Sequence, residues 1–177
     1  LHTAYRRQRQ MCIRDSYNPN QIVVSTGAKQ SIANVVQALI KPGEEVILLA
    51  PFWVSYSAIV LMADGIPKIL KSDISNDFKV SAKQIDDAIS EKTKMIIINS
   101  PNNPSGSIYN EKELNEIASV VKKYPNVFVL SDEIYEHINY GTEHVSFASI
   151  EGMYDRTITV NGIAKAFAMT GWRIGYL

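Results

Sequence analysis

From residue 17 onward the apolar positions switch between a period of two and a period of 3.6, and the switches predict the elements. Gln21-Ile-Val-Val24 is a short β-branched run. Ser25-Thr-Gly-Ala-Lys-Gln30 then opens a helical stretch with Ile32, Val35, Val36, Leu39 and Ile40 as its stripe, and Lys41-Pro-Gly43 ends it. Glu45-Val-Ile-Leu-Leu-Ala50 reads as a buried strand, and Pro51-Phe-Trp-Val54 leads into a helix ending near Asp64-Gly65. Pro67–Leu70 is another short strand, and Asp86–Ser90 falls in a further helix. Lys94-Met-Ile-Ile-Ile-Asn99 is a fourth strand, running into a Pro/Asn/Gly loop that lasts to Gly106. Glu111–Lys123 is helical, with Leu114, Ile117, Ala118 and Val121 on one face. Val127–Asp132, Thr157–Val160 and Arg173–Leu177 complete a set of seven strands.

Strands that are apolar on both faces and alternate with helices predict an α/β fold of three layers around a mainly parallel sheet. Residues 17–177 show no repeat and no linker, so one α/β domain is expected there. Residues 1–16 have a different character. They hold four arginines and one acid without either period, and read as a cloning or sequencing junction or a disordered lead.

Composition narrows the function classes. At 46% hydrophobic and 20% charged the chain is that of a globular protein, with a net charge of zero. That balance gives nucleic acid or an anionic membrane no electrostatic purchase. No apolar run reaches the roughly 18–20 residues of a membrane span. The single cysteine, Cys12, excludes an internal disulfide and a Cys-rich metal site, and His2, His137 and His144 lack metal-ligand spacing and read as surface or capping residues. No metal is expected, and a reducing cytoplasm fits.

The candidate chemistry falls where strands hand over to loops, the edge at which open α/β sheets bind ligands. Lys165 is flanked by Ala164, Ala166, Phe167 and Ala168. A lysine held among apolar groups gives up its proton more readily and becomes a usable nucleophile; the bland alternative is a snorkelling stem. Ser25-Thr-Gly-Ala-Lys29 is a glycine turn at a helix start, suited to an anion or simply to a tight turn. Trp53 is a core or rim tryptophan or a flat stacking face, and Ser55 and Tyr56 read as ordinary helix-start residues. Asn99-Ser-Pro-Asn-Asn-Pro-Ser-Gly106 is more constrained than a generic turn needs. Asp132 closes an apolar strand, where it is either a helix cap or a buried carboxylate awaiting a cation. Glu133 and Glu136 read as solvated charges.

Taken together, the stretch Asn161–Tyr176, the Gly27 turn, Trp53, Asn103, Asp132-x-x-Tyr135, Lys165 and Arg173 resemble the class I aminotransferases that use pyridoxal 5'-phosphate (PLP). Their order and spacing are similar to those of the bacterial aspartate aminotransferase subgroup. The resemblance covers about residues 17–177 and implies a partial PLP-binding large domain. It implies that Lys165 is the Schiff-base lysine and that Arg173 grips the phosphate, with Gly27, Ala28 and Lys29 cradling it. Trp53 would stack on the cofactor ring, Asp132 pair with its ring nitrogen, and Asn103 and Tyr135 bind its phenolic oxygen. Lys29, Trp53 and Asn103 would also meet the substrate, Lys29 by reading the distal carboxylate of an acidic amino acid. Gly162 departs from the pattern, because many relatives have a phosphate-binding serine there.

The activity implied is transfer of an amino group between an amino acid, with aspartate the first choice, and a 2-oxo acid. A C–S lyase, a decarboxylase and a PLP-sensing transcription regulator share these motifs and stay open. The resemblance further implies a homodimer, cis bonds at Ala50–Pro51 and Asn103–Pro104, and a 177-residue chain that is inactive by itself.

Overall fold

The computed structural model describes residues 17–141 and 143–177. The expectations for residues 1–16, with Cys12 and His2, lie outside the described residues. In chain order the elements are β1 (Val24–Ser25), α1 (Ala28–Leu39), β2 (Glu45–Leu49), α2 (Ser55–Met62), β3 (Ile66–Leu70), α3 (Ala82–Ala88), β4 (Thr93–Asn99), α4 (Glu111–Val121), β5 (Phe128–Asp132), β6 (Thr157–Gly162), α5 (Ile163–Ala166) and β7 (Gly175–Tyr176). The strands form one seven-stranded sheet in the order β1-β7-β6-β5-β4-β2-β3. The pairs from β3 to β6 are parallel, while β7 runs antiparallel to both β6 and β1. The fold is thus the α/β class that the alternating pattern predicts.

Alternation along the central strands sorts their side chains into two cores. Val46, Leu48, Met95, Ile97 and Leu130 face Ile32, Val35 and Val36 of α1 and Tyr56, Ile59 and Val60 of α2. Ile47, Leu49, Ile96, Ile98 and Val129 face Ile85 of α3 and Leu114, Ile117 and Val121 of α4. Each fully buried aliphatic chain contributes roughly 1.5–3 kcal/mol of burial. The strands can therefore be apolar on both faces because both faces are covered.

Two helices begin with self-contained caps. Ser81 with Gln84 opens α3, and Asn110 with Glu113 opens α4. The first strand is shorter than its β-branched run suggests. Pro19–Gln21 forms a 3-10 turn, and the run's partner β7 offers only two paired residues. Ala50–Pro51 and Asn103–Pro104 are cis as expected, and Ser100–Pro101 is cis as well. Among the described residues no helix is long and apolar enough to cross a membrane.

Candidate active site

The carboxyl ends of the parallel strands bring the polar residues together. Asn99 and Asp132 are the last residues of β4 and β5 and lie opposite one another in the sheet. Asn99 Nδ2 donates to the Asp132 carbonyl at 3.0 Å, and its Oδ1 accepts from the backbone N of Asn103 at 2.7 Å. A buried amide thus fixes the loop that presents Asn103. The Asp132 side chain is buried, with Tyr56 Oη donating to Oδ2 at 2.5 Å and the Ile134 amide to Oδ1 at 3.2 Å. Burial pushes its carboxyl up to about 6, against the downward pull of those two donors. Among the described residues no cation lies within ion-pair distance of it.

Around Asp132 the side chains form a connected series. Tyr56 meets the Trp53 ring edge-on, with centroids 5.5 Å apart, and Lys29 Nζ lies 4.9 Å over the Trp53 ring. On the other side Lys165 Nζ lies 5.9 Å from the Tyr135 ring centre. Asn103 and Tyr135 line one cavity of about 670 Å³.

A third group surrounds the start of α1. Gly27 has φ +83°, and a β-carbon there would overlap Arg173 Nη2. Gly175, paired with Gly162 across β6 and β7, lies so close to the Gly27–Ala28 peptide that a β-carbon on it would overlap Ala28 N. On Gly162 a β-carbon would stand 2.8 Å from the Ile174 carbonyl oxygen. A serine at Gly162 would need that backbone to move. The first turn of α1 has no acidic residue and no side-chain cap, so its amides and dipole face outward beside the Arg173 guanidinium.

Four sequence expectations need correction. Lys165 keeps its small neighbours, but α5 is a single turn and its side chain is exposed rather than enclosed. Tyr56 is no ordinary helix-start residue; it is buried and bonded to Asp132. Its place in the inward stripe Tyr56, Ile59, Val60 was the available signal. Glu133 and Glu136 are not solvated charges: Glu133 is 2% exposed, and burial raises the Glu136 carboxyl above its ordinary value. His144 is no bland surface residue, since its Nε2 lies 3.0 Å from Glu133 Oε2. At Asp132 one oxygen caps the following turn, as the cap reading expects, while the other lies buried on Tyr56.

The profile of the family described as aminotransferase class I and II matches residues 4–177. The chain belongs to this family. It is 53% identical over 163 residues to a bifunctional aspartate aminotransferase and glutamate/aspartate-prephenate aminotransferase of Petunia hybrida, covering 92% of this chain and 34% of that protein. An aspartate/prephenate aminotransferase of Nitrosomonas europaea is 46% identical, with 90% and 41% covered. The crystal structure of the aspartate aminotransferase from Rhizobium meliloti superposes with a TM-score of 0.89 at 44% identity, over 91% of this chain and 41% of that one. The chain thus spans about a third to two fifths of the length of these relatives.

Class I and II aminotransferases carry PLP, and the residues present fit that group. The open amides of α1 with Arg173 suit a phosphate, and the buried, cation-free Asp132 suits a protonated ring nitrogen.

Proposed function

We propose that the protein is an aminotransferase that moves an amino group between aspartate and a 2-oxo acid, working in the cytoplasm as a homodimer. The observation that carries this reading is the buried carboxylate of Asp132, held by two neutral donors at the strand edge where Asn103, Tyr135 and Lys165 gather. A charge in that position is costly until a cation meets it. Bound PLP supplies a carbonyl carbon for the amine and a ring that accepts electrons from the substrate Cα.

The chain's own residues then divide the work. Asp132 holds the ring nitrogen protonated. Asn103 and Tyr135 donate to the phenolic oxygen, and Trp53 offers its face to the ring. Gly27, Ala28 and Lys29 present backbone amides to the phosphate, and Arg173 adds its charge. Lys165 Nζ would hold the cofactor and, when free, would serve as the base for the substrate Cα proton. Its exposed position among the described residues leaves it free to reach both. Lys29, exposed over Trp53, is placed to meet the distal carboxylate of a dicarboxylic substrate. The aspartate aminotransferase from Thermus thermophilus, 42% identical, was crystallised with the dicarboxylate maleate. The exposed apolar side chains of Val24 and Trp172 support a covered, dimeric state in the whole protein.

The test uses the full-length protein with PLP. Borohydride reduction followed by peptide mapping should place the label on Lys165, and Lys165→Ala should abolish aspartate-to-2-oxoglutarate transfer. Label on Lys29, Lys41 or any other lysine overturns the assignment.

A further inference from the structure

The roles just proposed leave out two acidic side chains that are held far more firmly than surface charges are. Glu133 follows Asp132 directly. Its Oε1 accepts from Ser131 Oγ at 2.7 Å, Ser146 Oγ at 3.0 Å and the Phe147 amide at 3.2 Å, while its Oε2 faces His144 Nε2 at 3.0 Å. Glu136, three residues later, accepts from Asn161 Nδ2 at 2.8 Å and lies 3.2 Å from His137 Nε2. Ligand atoms of Glu133, Glu136 and His144 lie within 4.8 Å of one another, a spacing that a metal ion could use. Both Glu133 oxygens are already met by donors, however, and an ion would have to displace them. The arrangement reads as a tie between chain segments.

We infer that Glu133 is a positioning residue for the amino-transfer site, clamping the turn that bears Asp132 and Tyr135 onto residues 144–147. The inference rests on the aminotransferase reading above. Phe147, whose amide binds Glu133, is buried in the core, so the clamp is fastened to an immobile point. Glu136 ties the same turn to Asn161 near the end of β6, four residues before Lys165. The turn that carries Asp132 and Tyr135, residues 144–147 and the end of β6 that leads to Lys165 are thereby fixed to one another by directed hydrogen bonds. An apolar side chain at 133 would fill space, but it would leave the hydroxyls of Ser131 and Ser146 and the Phe147 amide to seek other acceptors. A fully met carboxylate sets the direction of the turn as well as its depth.

The experiment compares wild-type full-length protein with Glu133→Ala and Glu133→Gln. In the cofactor-free proteins, hydrogen exchange across residues 133–138 should speed up at least about tenfold in Glu133→Ala and less than about threefold in Glu133→Gln, whose carbonyl oxygen can keep the three donors of Oε1. With PLP bound, Glu133→Ala should lower kcat about tenfold with KM changed less than about twofold. The pH midpoint of the bound cofactor's visible absorbance should also move in Glu133→Ala, and Glu133→Gln should restore both values. If Glu133→Ala does not fold, the Ser131→Ala/Ser146→Ala double variant removes two donors and should show the same changes at smaller size. Unchanged exchange in these variants overturns the clamp. Faster exchange with kcat and absorbance midpoint at wild-type values overturns the positioning role. A wild-type protein that shows no transfer counts against the aminotransferase reading, while the exchange comparison still decides the clamp.

Discussion

Asp132 and Glu133 are neighbours at the end of β5, both buried, at 4% and 2% exposure, and their charges are met in opposite ways. Glu133 has three donors on one oxygen and His144 on the other, all from its own chain. Asp132 has two neutral donors, and burial keeps its carboxyl at about 6. Among the described residues one carboxylate is met by donors on both oxygens, while the other has no cation beside it. On the proposed reading the difference separates a group that holds a site in shape from one that acts in it, although their sequence position and burial are nearly the same.

The largest effect expected from breaking this contrast is Asp132→Asn. The amide keeps the shape and can still accept from Ile134, but it cannot serve as a full anionic partner to a ring nitrogen. In the full-length enzyme saturated with PLP kcat should fall by about 10²–10³, with the melting temperature nearly unchanged. Activity surviving the swap would make Asp132 a turn cap and nothing more.

Next in size is a pH dependence of the cofactor-free protein. The folded carboxyl of Asp132 sits at about 6, above its ordinary value of 3.8. Between about pH 4 and 6 the folded state therefore holds a proton that the unfolded chain releases. Stability should fall as pH rises through that window, by roughly 3 kcal/mol, and stay at the lower level above it. Denaturant unfolding at several pH values, wild type against Asp132→Asn, isolates this part, and parallel curves would contradict it. Saturation with PLP should flatten the slope, because a cation then meets the carboxylate.

The open side of the contrast runs outward through Tyr56 and Trp53 to Lys29. Lys29→Ser should weaken kcat/KM for aspartate relative to a neutral amino acid by about 2 kcal/mol, the size of one charge-assisted contact. Equal losses for the two substrates would confine Lys29 to the phosphate turn. The smallest effect belongs to Tyr56→Phe, which removes one donor and keeps the ring. Stability should drop by about 1 kcal/mol, and the Asp132 midpoint should move upward, since the Tyr56 hydrogen bond holds it down.

Which parts of the site could be read from the sequence follows from the range over which each signal acts. The sheet was readable because runs such as Lys94–Asn99 carry their burial in their own composition. Gly27, Asn103, Asp132 and Lys165 could be singled out because each lies at or soon after the end of such a run, in a short stretch of unusual composition, and the family resemblance added Arg173. Tyr56 could not be placed, because its partner Asp132 is 76 residues away. The burial of Glu133 was hidden for a similar reason: Ser146 and Phe147 reach it from across a loop, 13 and 14 residues on. A buried acid and a solvated one look alike until the partners are in place. Lys165 failed in the other direction, since its alanine neighbours describe a tight turn rather than an enclosing pocket.

The pressed glycines at 27, 162 and 175 bear on how such a protein can change over evolutionary time. Where a ligand is gripped by side chains, substitution can retune the grip one residue at a time. At the start of α1 the donors are main-chain amides, which every residue type except proline supplies; a side chain at 162 or 175 would have to move backbone, and one at 27 would displace the Arg173 guanidinium. The end proposed to bind the phosphate is thus nearly closed to variation, with Arg173 its adjustable side chain. The side chains of Lys29 and Trp53, exposed and half-buried, carry no such restriction. On the proposed reading, substrate range would change by altering those two positions while the handle for the phosphate stays the same.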